Sequence, residues 1–166
     1  MVKIAICGYS NTRQQIPVNN PSYKIWGMNH RLDSHPSRMD LHFDIHDTKR
    51  YNEDHPYYQF IKNNKDKSIL NGLDERFTDC KIYPKNAIIE KYGSYFTCSA
   101  SWMIAYAIEQ NPSDIAIFGI DCATVDEYIN QRASILYFLG IAVGKGIKLH
   151  YPPECKLFNG NIYYNG

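Results

Sequence analysis

Short apolar runs and helical stripes alternate along this chain. Residues 2–7 (Val-Lys-Ile-Ala-Ile-Cys), 23–28 (Tyr-Lys-Ile-Trp-Gly-Met), 115–120 (Ile-Ala-Ile-Phe-Gly-Ile) and 147–150 (Ile-Lys-Leu-His) read as strands. The third is almost unbroken in its hydrophobicity, as expected of a strand covered on both faces of a parallel sheet. In residues 39–45 strict alternation sets His42, Asp44 and His46 on one face and Leu41, Phe43 and Ile45 on the other. A helix is expected to start near Pro56 with Tyr57, Phe60 and Ile61 as its stripe, and a brief one at residues 85–91 after Pro84. A third begins at Thr97 to Ser101 and is stopped by Asn111-Pro112. The hydroxyls of Thr97, Ser99 and Ser101 are expected to satisfy free N–H groups of its first turn. After Asp121 comes a loop and a long helix, with Ile135, Leu136, Leu139, Ala142 and Val143 as its core face and Gly146 as its stop. A short strand is expected at residues 81–83, and residues 68–79 show no clear pattern.

Strands alternating with helices predict an α/β chain: a three-layer Rossmann-like domain with a mostly parallel sheet of about five strands. One domain spans residues 1–166, a length that buries a core without disulfides or a structural metal. The tail, 154–166, is irregular, with Leu157, Phe158, Tyr163 and Tyr164 expected to pack on the body or on a neighbouring subunit. Eighteen basic against 17 acidic residues give a formal charge of +1, so neither general nucleic-acid binding nor an anionic membrane is expected as partner. Cysteines 7, 80, 98, 122 and 155 form no C-x-x-C pair and read as reduced thiols, with Cys7 and Cys122 largely buried. No signal-peptide pattern precedes the first strand, which points to a cytoplasmic protein. Fourteen tyrosines suit either base or sugar stacking or simple amphipathic packing.

The chemistry gathers where the strands end. In open α/β sheets ligands sit outside the carboxyl ends of the strands. Gly8, Tyr9 and Ser10 follow the first strand, Asn29 and His30 the second, His46 and Asp47 the third, and Asp121 the buried one. Thr97, Cys98 and Ser99 open a helix on the same edge. Gly8 allows a sharp turn and close approach of backbone to ligand, but neither G-x-G-x-x-G nor a P-loop is present. His-x-Asp-x-His has ligand-type residues for a metal, yet residues two apart on a strand lie roughly 6–7 Å apart and seldom converge on one ion, so no metal is assigned. His46 reads either as a general base or phosphate contact at the strand's end or as a hydrogen-bonded structural histidine. Further contacts are open to His30, Asp44, Tyr128, Gln131 and Arg132.

The segment Phe96-Thr-Cys-Ser-Ala-Ser-Trp-Met, with Asp114-Ile-Ala-Ile-Phe-Gly-Ile-Asp121, resembles the central part of bacterial sialyltransferases and of archaeal hydroxymethylpterin diphosphokinase-like proteins. Small phage proteins of unassigned function share it more closely. The likeness extends to Ile4-Ala-Ile-Cys-Gly-Tyr-Ser10 and Ile25-Trp-Gly-Met-Asn29. It implies a Rossmann-like fold and nucleotide contacts from Gly8, Ser10, Asn29 and residues 97–99. The first loop departs from the Gly-x-Gly-x-Ser form of the sialyltransferases. The combined reading is a nucleotide-using transferase, glycosyltransferase-like or diphosphokinase-like, with His46 catalytic and a nucleotide or nucleotide sugar as ligand. Tyr9, Cys98 and Asp121 complete the expected nucleotide set. The alternative is a module that binds a nucleotide or nucleotide signal without turnover, such as a phage accessory or anti-defence protein. A homo-oligomer is left open.

Overall fold

The computed structural model describes residues 2–122 and 126–158, residues 126–128 by backbone alone. Seven strands, β1 (Lys3–Cys7), β2 (Tyr23–Met28), β3 (Leu41–Asp44), β4 (Ser68–Leu70), β5 (Lys81–Ile82), β6 (Asp114–Phe118) and β7 (Lys148–His150), form one sheet in the order β5-β4-β3-β2-β1-β6-β7. Every neighbouring pair is parallel. The helices are α1 (Pro56–Asn63), α2 (Lys85–Tyr92), α3 (Ser99–Glu109) and α4 (Asp126–Gly144). The sheet has seven strands instead of about five; β5 answers to the short strand expected at residues 81–83, and β4 is the unforeseen one. β4 lies where the sequence shows no pattern, because a three-residue strand buried on both faces is too short to display any period.

Alternation along each strand divides the core in two. Ile4, Ile6, Trp26, Met28, Phe43, Ile69, Ile115 and Ile117 face α2, α3 and α4. On the other face Ala5, Cys7, Ile25 and Ala116 are covered by the loop through Ile16 and Val18, and Leu70 by α1 through Tyr57, Tyr58 and Ile61. This is the expected three-layer arrangement, with a loop in place of a helix over the centre of the second face. Val143 is 56 % exposed instead of belonging to the core face of α4; Phe138, fully buried, takes that role with Ile135, Leu139 and Ala142. Leu157 packs into the body at 0 % exposure, whereas Tyr163 and Tyr164 lie outside the described residues.

The chain builds outward from β1 to β5, then returns through α2 and α3 to place β6 on the other side of β1. β1 is therefore the topological switch point, where the loops after β1 and β6 part and leave a crevice at the carboxyl edge. β6 ends at Phe118, two residues before the expected boundary, because Gly119 takes φ +68° and turns the chain. Among the described residues no helix is long and apolar enough to cross a membrane.

Candidate functional site

Two glycines set the floor of the crevice. The amide of Gly8 donates to Phe118 O (2.8 Å) and that of Ser10 to Gly119 O (2.9 Å), while Thr12 Oγ1 accepts from the Gly119 amide at 2.9 Å. The two backbones touch: a Cβ on Gly8 would stand 2.3 Å from Gly119 O. This close approach keeps both loops low and leaves above them a cavity of about 580 Å³, the size of a small-molecule site. Ser10 is among its lining residues, and the Ser10 Oγ is buried without a hydrogen-bond partner among the described residues. A buried hydroxyl left unpaired is costly.

Asn29 stands on the crevice wall beyond β2 in the left-handed region at φ 57°, a conformation asparagine tolerates. Its side-chain oxygen accepts from Ser99 Oγ at 3.0 Å, joining the end of β2 to the start of α3. The hydroxyls at that helix start do not cap its amides as expected. Thr97 Oγ1 donates to Asn130 O, Ser101 Oγ to Cys98 O, and Cys98, the N-cap residue, makes no side-chain capping bond. Burial pushes the Cys98 thiol up, tempered by the amides and hydroxyl around it, so the sulfur stays protonated. The hydroxyls thus pin the helix to its neighbours, and its positive end abuts the crevice lined by Thr97, Cys98, Ser99 and Ala100.

His46 enters from the side, just past the end of β3. Its Nδ1 lies 2.8 Å from Asp44 Oδ1, which also accepts from the His46 amide at 2.9 Å, and the ring is 39 % exposed toward the crevice. Asp44 is wholly buried and takes a third bond, from Tyr57 Oη, at 2.6 Å on Oδ2. Burial pushes its carboxyl up, but the bonds from His46 and Tyr57 outweigh that and hold it below the usual range. An ionised Asp44 requires the proton of neutral His46 on Nδ1, which leaves Nε2 as a base. Arg31 and Lys156 bring positive charge to the rim; the Arg31 guanidinium lies 5.2 Å from the Tyr9 ring centre, and Tyr9 Oη donates to Met28 O.

Gly8, Tyr9, Ser10, Asn29, His46, Thr97, Cys98, Ser99, Asp121 and Gln131 all line this one crevice. Asp44 does not reach it and lies beneath, behind His46. His30 points elsewhere, against the rings of Tyr51 and Tyr57. Arg132 holds the tail through Nε to Leu157 O at 3.0 Å. Tyr128 falls outside the described side chains. Cys122 is half-buried in the crevice wall at φ 47°, against the expectation of burial; Cys7 is buried, and all five thiols are free. Arg31, Gly119 and Lys156 were not foreseen. Gly119 carried a signal, a glycine just before Ile120-Asp121; Lys156, in an irregular tail, carried none. His42 and Asp44 share the face predicted for them, but it is turned into the aromatic packing around α1. Among the described residues no three His, Cys, Asp or Glu side chains are grouped to hold an ion. No protein-family model, curated protein or solved structure matches the chain.

Proposed function

We propose that the crevice binds a nucleotide or nucleotide-like anion and that the protein is a nucleotide-using transferase of glycosyltransferase-like or diphosphokinase-like type. The observation that carries this reading is the convergence, at the switch point beside β1, of a helix start, the Gly8–Ser10 turn and an Asp44-backed imidazole around one cavity. A phosphate seated against the start of α3 meets helix amides and the charges of Arg31 and Lys156. Asn29 and Asp121 offer an amide and a carboxylate to ribose or base. The likeness of residues 96–103 and 114–121 to sialyltransferase-like proteins supports the same ligand class.

In a glycosyl transfer, His46 Nε2 takes the proton of an acceptor hydroxyl as its oxygen bonds the anomeric carbon. The bond from that carbon to the donor phosphate breaks, and the nucleotide leaves with the electron pair. Orientation and stabilisation of the departing phosphate supply most of the rate. The test is turnover of a panel of nucleotide sugars and nucleoside triphosphates by wild type and His46→Ala. Donor binding kept and turnover lost by a factor of about 10²–10⁴ supports the transferase. Nucleotide binding with no turnover by wild type replaces it with the binding-module reading.

A further inference from the structure

Behind His46, about β3 and α1, runs a chain of polar groups that ligand binding alone does not require. Tyr57 Oη, on a fully buried ring of α1, donates to Asp44 Oδ2 at 2.6 Å. His42, also fully buried, sets Nε2 3.2 Å from Tyr57 Oη and 3.2 Å from Asn29 O. His35 Nε2 lies 2.9 Å from the same carbonyl. A carbonyl only accepts, so both imidazoles carry their proton on Nε2, and both Nδ1 atoms are buried without a partner among the described residues. The protons then have fixed directions: His35 donates to Asn29 O, the one Nε2–H of His42 is shared between Asn29 O and Tyr57 Oη, and Tyr57 and His46 both donate to Asp44.

We propose that Tyr57 and His42 are positioning residues that lock Asp44 as an ionised acceptor and thereby fix His46 with its proton on Nδ1 and Nε2 bare toward the crevice. Three observations favour this over ordinary core packing. A phenylalanine at 57 would fill the same place among Tyr51, Phe60 and Leu70, so the hydroxyl adds only its polar contacts, the bond to Asp44 and the approach of His42 Nε2. Burying a carboxylate is costly, and Asp44 at 0 % exposure is tolerated only because three donors meet it. The same chain also grips Asn29 O, so one buried unit holds both the base and the left-handed residue that presents an amide to the ligand. Burial and the Asp44 charge push the Tyr57 phenol far up, keeping it a donor throughout the working pH range. The other titratable groups facing this unit are Tyr9, His30, Arg50, Tyr51 and His55, none of which bonds to Asp44 or His42.

The inference rests on His46 being the proton-handling group of the crevice, and its test does not need the reaction. The full chain is labelled with ¹⁵N in histidine and ¹³C in the aspartate carboxyls, and tautomers and carboxyl ionisation are read by NMR. Wild type is expected to show His46 protonated on Nδ1, His42 on Nε2, and a slowly exchanging Tyr57 hydroxyl proton. Tyr57→Phe is expected to shift the Asp44 titration upward and to let His46 populate the Nε2–H form; Asp44→Asn should move it there predominantly. If a donor is turned over, Tyr57→Phe lowers kcat by about tenfold or more with KM held. A folded Tyr57→Phe protein with unchanged Asp44 titration and unchanged His46 tautomer overturns the proposal. Should that variant fail to fold, a wild-type Tyr57 hydroxyl that exchanges as fast as an exposed phenol overturns it equally. Absence of turnover with the tautomer pattern intact refutes only the transferase reading.

Discussion

His42 makes stability depend on pH with a size that can be worked out. Burial without exposure pushes its imidazole down from the ordinary 6.5 to about 4. The folded protein therefore holds this ring neutral, while the unfolded chain takes up a proton as soon as the pH falls below about 6.5. Since the unfolded state binds more protons in that window, the contribution is fully present above pH 6.5 and is lost progressively as pH falls toward 4. Between pH 7.5 and 5 the loss from this one group is about 2 kcal/mol, rising to about 3 kcal/mol near pH 3. Comparison with His42→Gln addresses it, because glutamine keeps an N–H donor near Asn29 O but does not titrate. Urea unfolding at pH 7.5 and 5 should show wild type losing about 2 kcal/mol more than the variant over that interval. Parallel pH dependence in the two proteins would refute the claim that His42 is held neutral.

The close approach of Gly8 and Gly119 predicts that Gly8→Ala, whose new methyl would meet Gly119 O at 2.3 Å, costs about 1–3 kcal/mol in urea unfolding. The control Gly140→Ala, in an open position of α4, should instead gain about 0.5–1 kcal/mol; equal effects would contradict the reading. Asp74 accepts from Arg76 on both oxygens and from Thr48, while Arg76 also reaches Tyr51 O, tying down the loop after His46. Asp74→Ala is expected to cost about 2–3 kcal/mol at pH 7. The bond from Arg76 holds the Asp74 carboxyl well below the usual range, so its contribution is present above the unfolded carboxylate value and lost as pH falls. The gap between wild type and Asp74→Ala should accordingly narrow below about pH 4.

The elements with a strong period were legible: β1, β2, β6, α1 and α3 announce themselves through apolar runs, stripes, Pro56 and Asn111-Pro112. β4 was not, since Ser68-Ile69-Leu70 is held by its neighbours β3 and β5 and not by any pattern of its own. The crevice was legible as topology, because polar residues at the ends of parallel strands must share an edge. Its detail was not. That Ser99 would bond Asn29, 70 positions away, or that Lys156 would reach the rim from the tail, depends on tertiary packing that no local signal records. The alternation in β3 placed His42 and Asp44 on one face, but a polar face ordinarily reads as solvated. Here Tyr57 and Phe60 cover it, and the sequence pattern does not say which helix will.

The central claim, that the crevice at the switch point is a nucleotide site, is tested most directly by amide chemical-shift mapping during titration with nucleoside mono- and diphosphates and nucleotide sugars. The account predicts saturable shifts confined to residues 8–10, 29, 46, 97–100 and 119–121, with those at 97–100 requiring the phosphate and absent with the free nucleoside. Shifts that cluster on another surface, or no saturable binding of any nucleotide at millimolar concentration, would contradict it.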